Sequence, residues 1–220
     1  QPDDAAASYR RALKLQPRFA VAWFNLGTVC ERLQRTDDAL AAYREAVAVE
    51  PGFVEAHANL GAALQKQGRH DEAVAAYRKA LAIQPTATAW FSLGTAQRDQ
   101  GLLGDAAASY RQALALAPGY ADAHSNLGVV LQEMGRLDEA MAAFRRAIEL
   151  MPDHASAHLS LGVAHQERGE SAQACQCFRE ALRLDPGLDL ARSNAQSLAR
   201  ERGTLWVRGL PPEEAPPIPA

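Results

Sequence analysis

Cysteine is scarce in this chain: Cys30, Cys175 and Cys177 are the three it has in 220 residues. Three thiols cannot make a fully paired disulfide framework, which excludes the stapled secreted class and favours a reducing compartment. No charge of one sign dominates, since 23 Lys and Arg stand against 26 Asp and Glu for a net charge of −3. The concentrated cationic face that nucleic acid or an anionic membrane demands is therefore missing. No apolar run approaches the roughly 18 residues of a membrane span. The opening residues Gln1-Pro2-Asp3-Asp4 have neither the basic nor the apolar region of a secretory signal. The pattern begins in mid-motif, so that absence weighs little; a cytoplasmic protein is the expectation.

Catalytic strings are also missing. G-x-x-x-x-G-K-[ST], G-x-G-x-x-G, H-E-x-x-H and G-x-S-x-G do not occur. Cys175 and Cys177, two apart on a helix, point to different sides and form neither a C-x-x-C pair nor a zinc half-site. His165 with either thiol lacks a third group to orient it. His57, His124 and His158 stand about a repeat apart, too far to share one metal ion whose histidine ligands lie at about 2 Å. No catalytic, cofactor-binding or metal-binding residue is assigned, and a non-enzymatic chain is the expectation.

What the chain does have is a period. Prolines fall at Pro17, Pro51, Pro85, Pro118, Pro152 and Pro186, in steps of 34, 34, 33, 34 and 34 residues. Leu-Gly pairs recur in step with them at Leu26-Gly27, Leu60-Gly61, Leu93-Gly94, Leu127-Gly128 and Leu161-Gly162. A fixed period of this length signals a stacked solenoid or array. Each period splits into two helices. From Val54 to Gln67, Ala56, Leu60, Ala63 and Leu64 recur at helical spacing. Gly68 stops that helix, as do Gly101, Gly135 and Gly169 in their repeats, whereas the first full repeat has Gln34 there. A second helix runs from about Asp71 to Ile83 and ends at Pro85. With no sustained alternation of period two, the chain is expected to be all-α.

The order Trp23, Leu26, Gly27, Ala39, Tyr43, Ala46, Pro51 resembles the tetratricopeptide repeat (TPR) signature, and it recurs four more times with His57, Trp90, His124 and His158 in the first place. A partial copy, Ala5, Tyr9, Ala12 and Pro17, matches only the second half of a repeat. The resemblance implies a right-handed TPR superhelical solenoid of antiparallel helix pairs. Its divisions are residues 1–19 (half repeat), 20–53, 54–86 (one residue short), 87–120, 121–154 and 155–188 (full repeats), 189–202 (capping helix) and 203–220 (Pro-rich tail). The missing residue after Pro85 must shorten the connection there or delay the next helix. In the capping helix Leu190, Ala191, Ala195 and Leu198 are expected to face inward. Large residues such as Tyr43 and Leu26 are expected to fill the space between repeats, and Gly27 and Ala39 to let helices cross closely. The tail, with Trp206 beside Leu205, Val207 and Leu210, is either a linker or a docking segment.

By the same resemblance, the first helix of each repeat lines a concave groove. Counting from Ala20, Val54, Ala87, Ala121 and Ala155, the sixth place holds Asn25, Asn59, Ser92, Asn126 and Ser160. An amide side chain donates and accepts at once, so such a row can pair with the backbone of an extended peptide of any sequence. The row is partly similar to that in the TPR arm of O-GlcNAc transferases, which raises the alternative that the chain is the substrate-recognition arm of a larger enzyme. Phe24 and Phe91, in the fifth place, are candidate apolar anchors. Thr28, Thr95, Gln65, Arg98, Gln132 and Gln166 make the wall polar, and Glu55 and Asp122 are expected at its mouth, balanced by Lys66 and Arg98. A clamp for a chaperone C-terminal carboxylate is rejected, because the second, fifth and sixth places of the first three repeats hold no Lys or Arg. The expected partner is a protein or extended peptide. Self-association through the N-terminal half repeat or the Trp206 tail is a further alternative.

Overall fold

A computed structural model describes residues 2–202; the Trp206 tail lies outside them. Twelve α-helices follow one another among the described residues. They are α1 (Pro2–Leu15), α2 (Ala20–Arg32), α3 (Thr36–Val49), α4 (Val54–Lys66), α5 (His70–Ile83), α6 (Ala87–Asp99), α7 (Leu103–Leu116), α8 (Ala121–Glu133), α9 (Leu137–Leu150), α10 (Ala155–Glu167), α11 (Ser171–Leu184) and α12 (Asp189–Arg202). The chain forms two compact units, Gln1–Pro118 and Gly119–Ala220.

The helices pair as α2 with α3, α4 with α5, α6 with α7, α8 with α9 and α10 with α11. Three-residue turns join the partners and set them antiparallel. The turn chemistry is the same each time. In Gln67-Gly68-Arg69 the amide of Gly68 donates to Gln65 O at 2.9 Å and that of Arg69 to Leu64 O at 3.0 Å. These are the two bonds of a Schellman ending, which needs a left-handed residue between them. Gly68 supplies it with φ +72°, and Gln34 adopts φ +58° in the first full repeat, so the stop survives there with a side chain in a conformation that favours glycine.

Inside each pair the close approach is between a ring and an α-carbon. A Cβ on Gly27 would stand 2.6 Å from Tyr43 Cε1, on Gly94 2.9 Å from Tyr110 Cδ1, and on Gly128 2.5 Å from Phe144 Cε1. The glycine thus makes room for the aromatic residue of its own repeat, and Tyr43 fills that space rather than one purely between repeats. Tyr43, Tyr110, Phe144 and Phe178 are fully buried. In the first unit one apolar cluster runs from Ala6 on α1 to Ala96 on α6. In the second, α12 covers α11 with Ala191, Ala195 and Leu198. Leu190, expected inward, is 58% exposed, and Leu188 just before the helix packs inward in its stead.

The missing residue after Pro85 shortens the connection and leaves the helix in register. Three residues, Gln84 to Thr86, join α5 to α6, where four, Glu50 to Phe53, join α3 to α4. Thr86 caps α6 with its hydroxyl, accepting from the Ala89 amide at 3.2 Å.

Candidate functional site

The first helices of the repeats carry the twelve residues singled out from sequence, and all of them are half-buried. In the first unit α2, α4 and α6 present Phe24, Asn25, Thr28, Asn59, Gln65, Phe91, Ser92, Thr95 and Arg98; in the second, α8 and α10 present Asn126, Gln132 and Gln166.

In the first unit Thr28, Asn59, Gln65 and Thr95 join bonds centred on a tyrosine. Tyr43 Oη donates to Glu31 Oε2 at 2.7 Å and lies 3.4 Å from Thr28 Oγ1. From the next repeat, Asn59 Nδ2 donates to the same hydroxyl at 3.4 Å. Tyr77 Oη likewise donates to Gln65 Oε1 at 3.4 Å. Tyr110 Oη lies 3.1 Å from Thr95 Oγ1. Burial of the ring pushes the Tyr43 phenol up to about 12, with the Glu31 carboxylate adding to the rise against the hydrogen bonds with Thr28 and Asn59. Burial likewise pushes Tyr77 up to about 12. Both phenols are neutral at physiological pH.

The sixth place therefore does two things. Asn59 binds the tyrosine hydroxyl behind it, whereas Asn25 and Asn126 have no side-chain hydrogen bond among the described residues. In the second unit the aromatic residues are Phe144 and Phe178, which offer no hydroxyl to Ser160 or to Asn194. Asn194, half-buried on α12, stands 34 residues after Ser160 and so occupies the sixth place of a sixth first helix. The sixth-place row read from sequence stops at Ser160; continuing the same step one repeat further finds it.

The two phenylalanines do not stand alone. The Phe24 ring centroid lies 5.0 Å from that of Phe53 and 5.9 Å from that of Tyr43, and Phe91 lies 5.7 Å from Tyr110. Each leans on its neighbours in the tilted geometry aromatic pairs prefer and remains half-exposed.

Polar bonds between successive first helices, which sequence reading missed, recur within each unit. Lys66 Nζ donates to Glu31 Oε1 at 2.9 Å, Gln65 Nε2 to Asp99 Oδ2 at 2.6 Å and, in the second unit, Gln132 Nε2 to Glu167 Oε1 at 2.5 Å. In each case the twelfth place of one repeat meets the thirteenth of the next. The charge balance expected at the mouth is accordingly different. Lys66 is committed to Glu31, Arg98 lies 3.8 Å from Asp99, and Asp122 lies 3.2 Å from His154 Nε2.

The fourth place, held by Trp or His, has the same task in Trp23, His57 and His158. Trp23 Nε1 donates to Pro17 O at 2.9 Å, and the Nε2 of His57 and of His158 sit 2.9 and 3.0 Å from Pro51 O and Pro152 O. A carbonyl only accepts, so these imidazoles carry their proton on Nε2. Among the described residues no group of three or more His, Cys, Asp or Glu is placed to hold a metal ion. No helix among them is long and apolar enough to cross a membrane.

Family models for the tetratricopeptide repeat match residues 1–48, 54–86 and 119–186, and a TPR repeat model matches residues 32–68 and 94–135. Comparison with curated protein sequences gives no significant match. Among solved structures, YrrB, described as a TPR protein with an unusual peptide-binding site, superposes with a TM-score of 0.71 at 22% identity, over 87% of this chain and 99% of its own. PilW, a type IV pilus biogenesis factor, gives 0.76 at 24%, over 87% and 90%. MamA gives 0.69 at 28%, over 73% and 95%. With its 34-residue period, its ring-on-glycine helix pairs and these matches, the chain belongs to the tetratricopeptide repeat family and has the all-α TPR solenoid fold.

Proposed function

We propose that this chain is a protein-interaction module that takes extended peptide along the first helices of the repeats in each unit. The observation that supports this is the state of the sixth-place amides. Asn25 and Asn126 are half-buried yet have no side-chain hydrogen bond among the described residues, and Asn59 gives one long bond, 3.4 Å, to Tyr43. A primary amide has two donors and a carbonyl to satisfy, so each keeps capacity for a peptide N–H and C=O. Phe24 and Phe91 stand one residue before this row and offer ring edges to an apolar side chain of the ligand. The neighbour YrrB is itself described as peptide-binding.

The test is affinity capture with the chain and with its triple variant Asn25→Ala, Asn59→Ala, Asn126→Ala. The expected result is loss of the captured partners at unchanged helicity and melting temperature. Retention of the same partners by the variant would overturn the assignment.

A further inference from the structure

On the other side of the repeats, second helices are tied to each other by a recurring ion pair. Arg10 reaches Asp38 at 3.1 Å and Arg44 reaches Glu72 at 3.3 Å, each 28 residues on. Arg78 has Asp105 in the corresponding position, both lining one cavity of about 580 Å³. For Arg145 the same 28-residue step reaches Gln173, so the carboxylate is missing.

Arg145 and Arg179 line a cavity of about 1070 Å³ within the second unit, and neither has an ion pair among the described residues. Its floor is apolar, with Leu161 and Leu182 buried and Ile148 half-buried. Glu149 and Glu180 also line it, but they are held by Arg146 at 2.9 Å and Arg183 at 2.6 Å. The lining thus keeps a surplus of positive charge over an apolar floor.

We infer that this cavity is a second binding site, distinct from the amide row, and that it takes an acidic peptide segment carrying an aliphatic or aromatic side chain. The carboxylates replace the acid that Gln173 lacks and form charge-assisted bonds with Arg145 and Arg179. The apolar side chain covers Ile148, Leu161 and Leu182. A purely polar anion would leave that floor wet, which is why charge and shape together select a peptide of mixed character.

The experiment is fluorescence anisotropy of a labelled Glu-Glu-Leu-Leu-Glu-Glu peptide against the full chain, with Gln-Gln-Leu-Leu-Gln-Gln as the uncharged probe. The acidic peptide is expected to bind about tenfold more tightly than the uncharged one, by the strength of a charge-assisted pair. Gln173→Glu, which restores the missing partner, and the double variant Arg145→Gln, Arg179→Gln each weaken it about tenfold. All these positions are exposed, and circular dichroism verifies that the fold is kept. The triple asparagine variant leaves this affinity unchanged, so the site stands apart from the proposed groove. Equal affinity for both peptides, or indifference to Gln173→Glu, would overturn the inference. So would a tenfold gain in affinity on Glu213→Gln, Glu214→Gln, which would make the chain's own C-terminal segment the occupant.

Discussion

The ring of Tyr43 lies so close over the α-carbon of Gly27 that a methyl group there would stand 2.6 Å from Cε1 and 2.7 Å from Cδ1. Tyr43 is fully buried, so the ring has nowhere to retreat. Gly27→Ala is therefore expected to destabilise the chain by about 1–3 kcal/mol through overpacking. Gly119→Ala, where nothing lies within 4 Å, should change stability by no more than about 0.5 kcal/mol. Urea unfolding of both variants checks the contrast; equal effects would refute it.

Gln34 holds φ +58° in a turn where the other full repeats use glycine. A side chain in that conformation costs about 1–2 kcal/mol, and glycine gives back part of this as unfolded-state entropy. Gln34→Gly should stabilise by about 0.5–1 kcal/mol, and Gly68→Ala should destabilise by a similar amount. Thermal melting of the pair tests the sign in both directions.

The phenols of Tyr43 and Tyr77 titrate near 12, above the ordinary value of 10, mainly because burial disfavours their charged form. A group whose folded value is raised contributes stability that is fully present below its unfolded value and lost as pH rises through the folded one. Stability should accordingly fall between about pH 10 and pH 12. Tyr43→Phe, Tyr77→Phe should flatten that alkaline limb, as followed by circular dichroism and by phenolate absorbance. An alkaline limb identical in the double variant would contradict the assignment.

His57 and Trp23 share a place and a bond, each offering a ring N–H to the proline carbonyl six residues earlier. His57→Trp should therefore preserve stability within about 1.5 kcal/mol, while His57→Leu, which leaves Pro51 O without that donor, should cost about 1–3 kcal/mol. Chemical denaturation of the two variants separates lost packing from the lost bond.

Much of this fold was legible in the sequence because a period repeats every local signal. Gly68 and its equivalents announced the turns, and the prolines announced the ends of the second helices, since both act through the backbone alone. The place of Tyr43 was legible but its partner was not: a motif gives residues that recur, whereas Gly27 beneath the ring is a fact of helix crossing. The polar face was legible only in outline. Asn59 was recognised by its place, yet its bond to Tyr43 joins two repeats, and one-dimensional periodicity carries no information about what lies across that gap. Leu190 failed for a simpler reason, because α12 packs on α11 among the described residues through a narrow stripe, which Ala191, Ala195 and Leu198 fill.

The side-chain bonds between repeats have a kinetic meaning. Lys66 to Glu31 and Gln132 to Glu167 each bridge 35 residues, about one repeat, as Arg10 to Asp38 bridges 28. Chains whose contacts are this local pay little loop-closure entropy before native structure rewards it, so they fold fast and can nucleate at more than one repeat. Amide hydrogen exchange should then be quickest in α1 and α12, which among the described residues stack on one side, and slower in a pair such as α4 with α5 that is flanked on both sides within its unit.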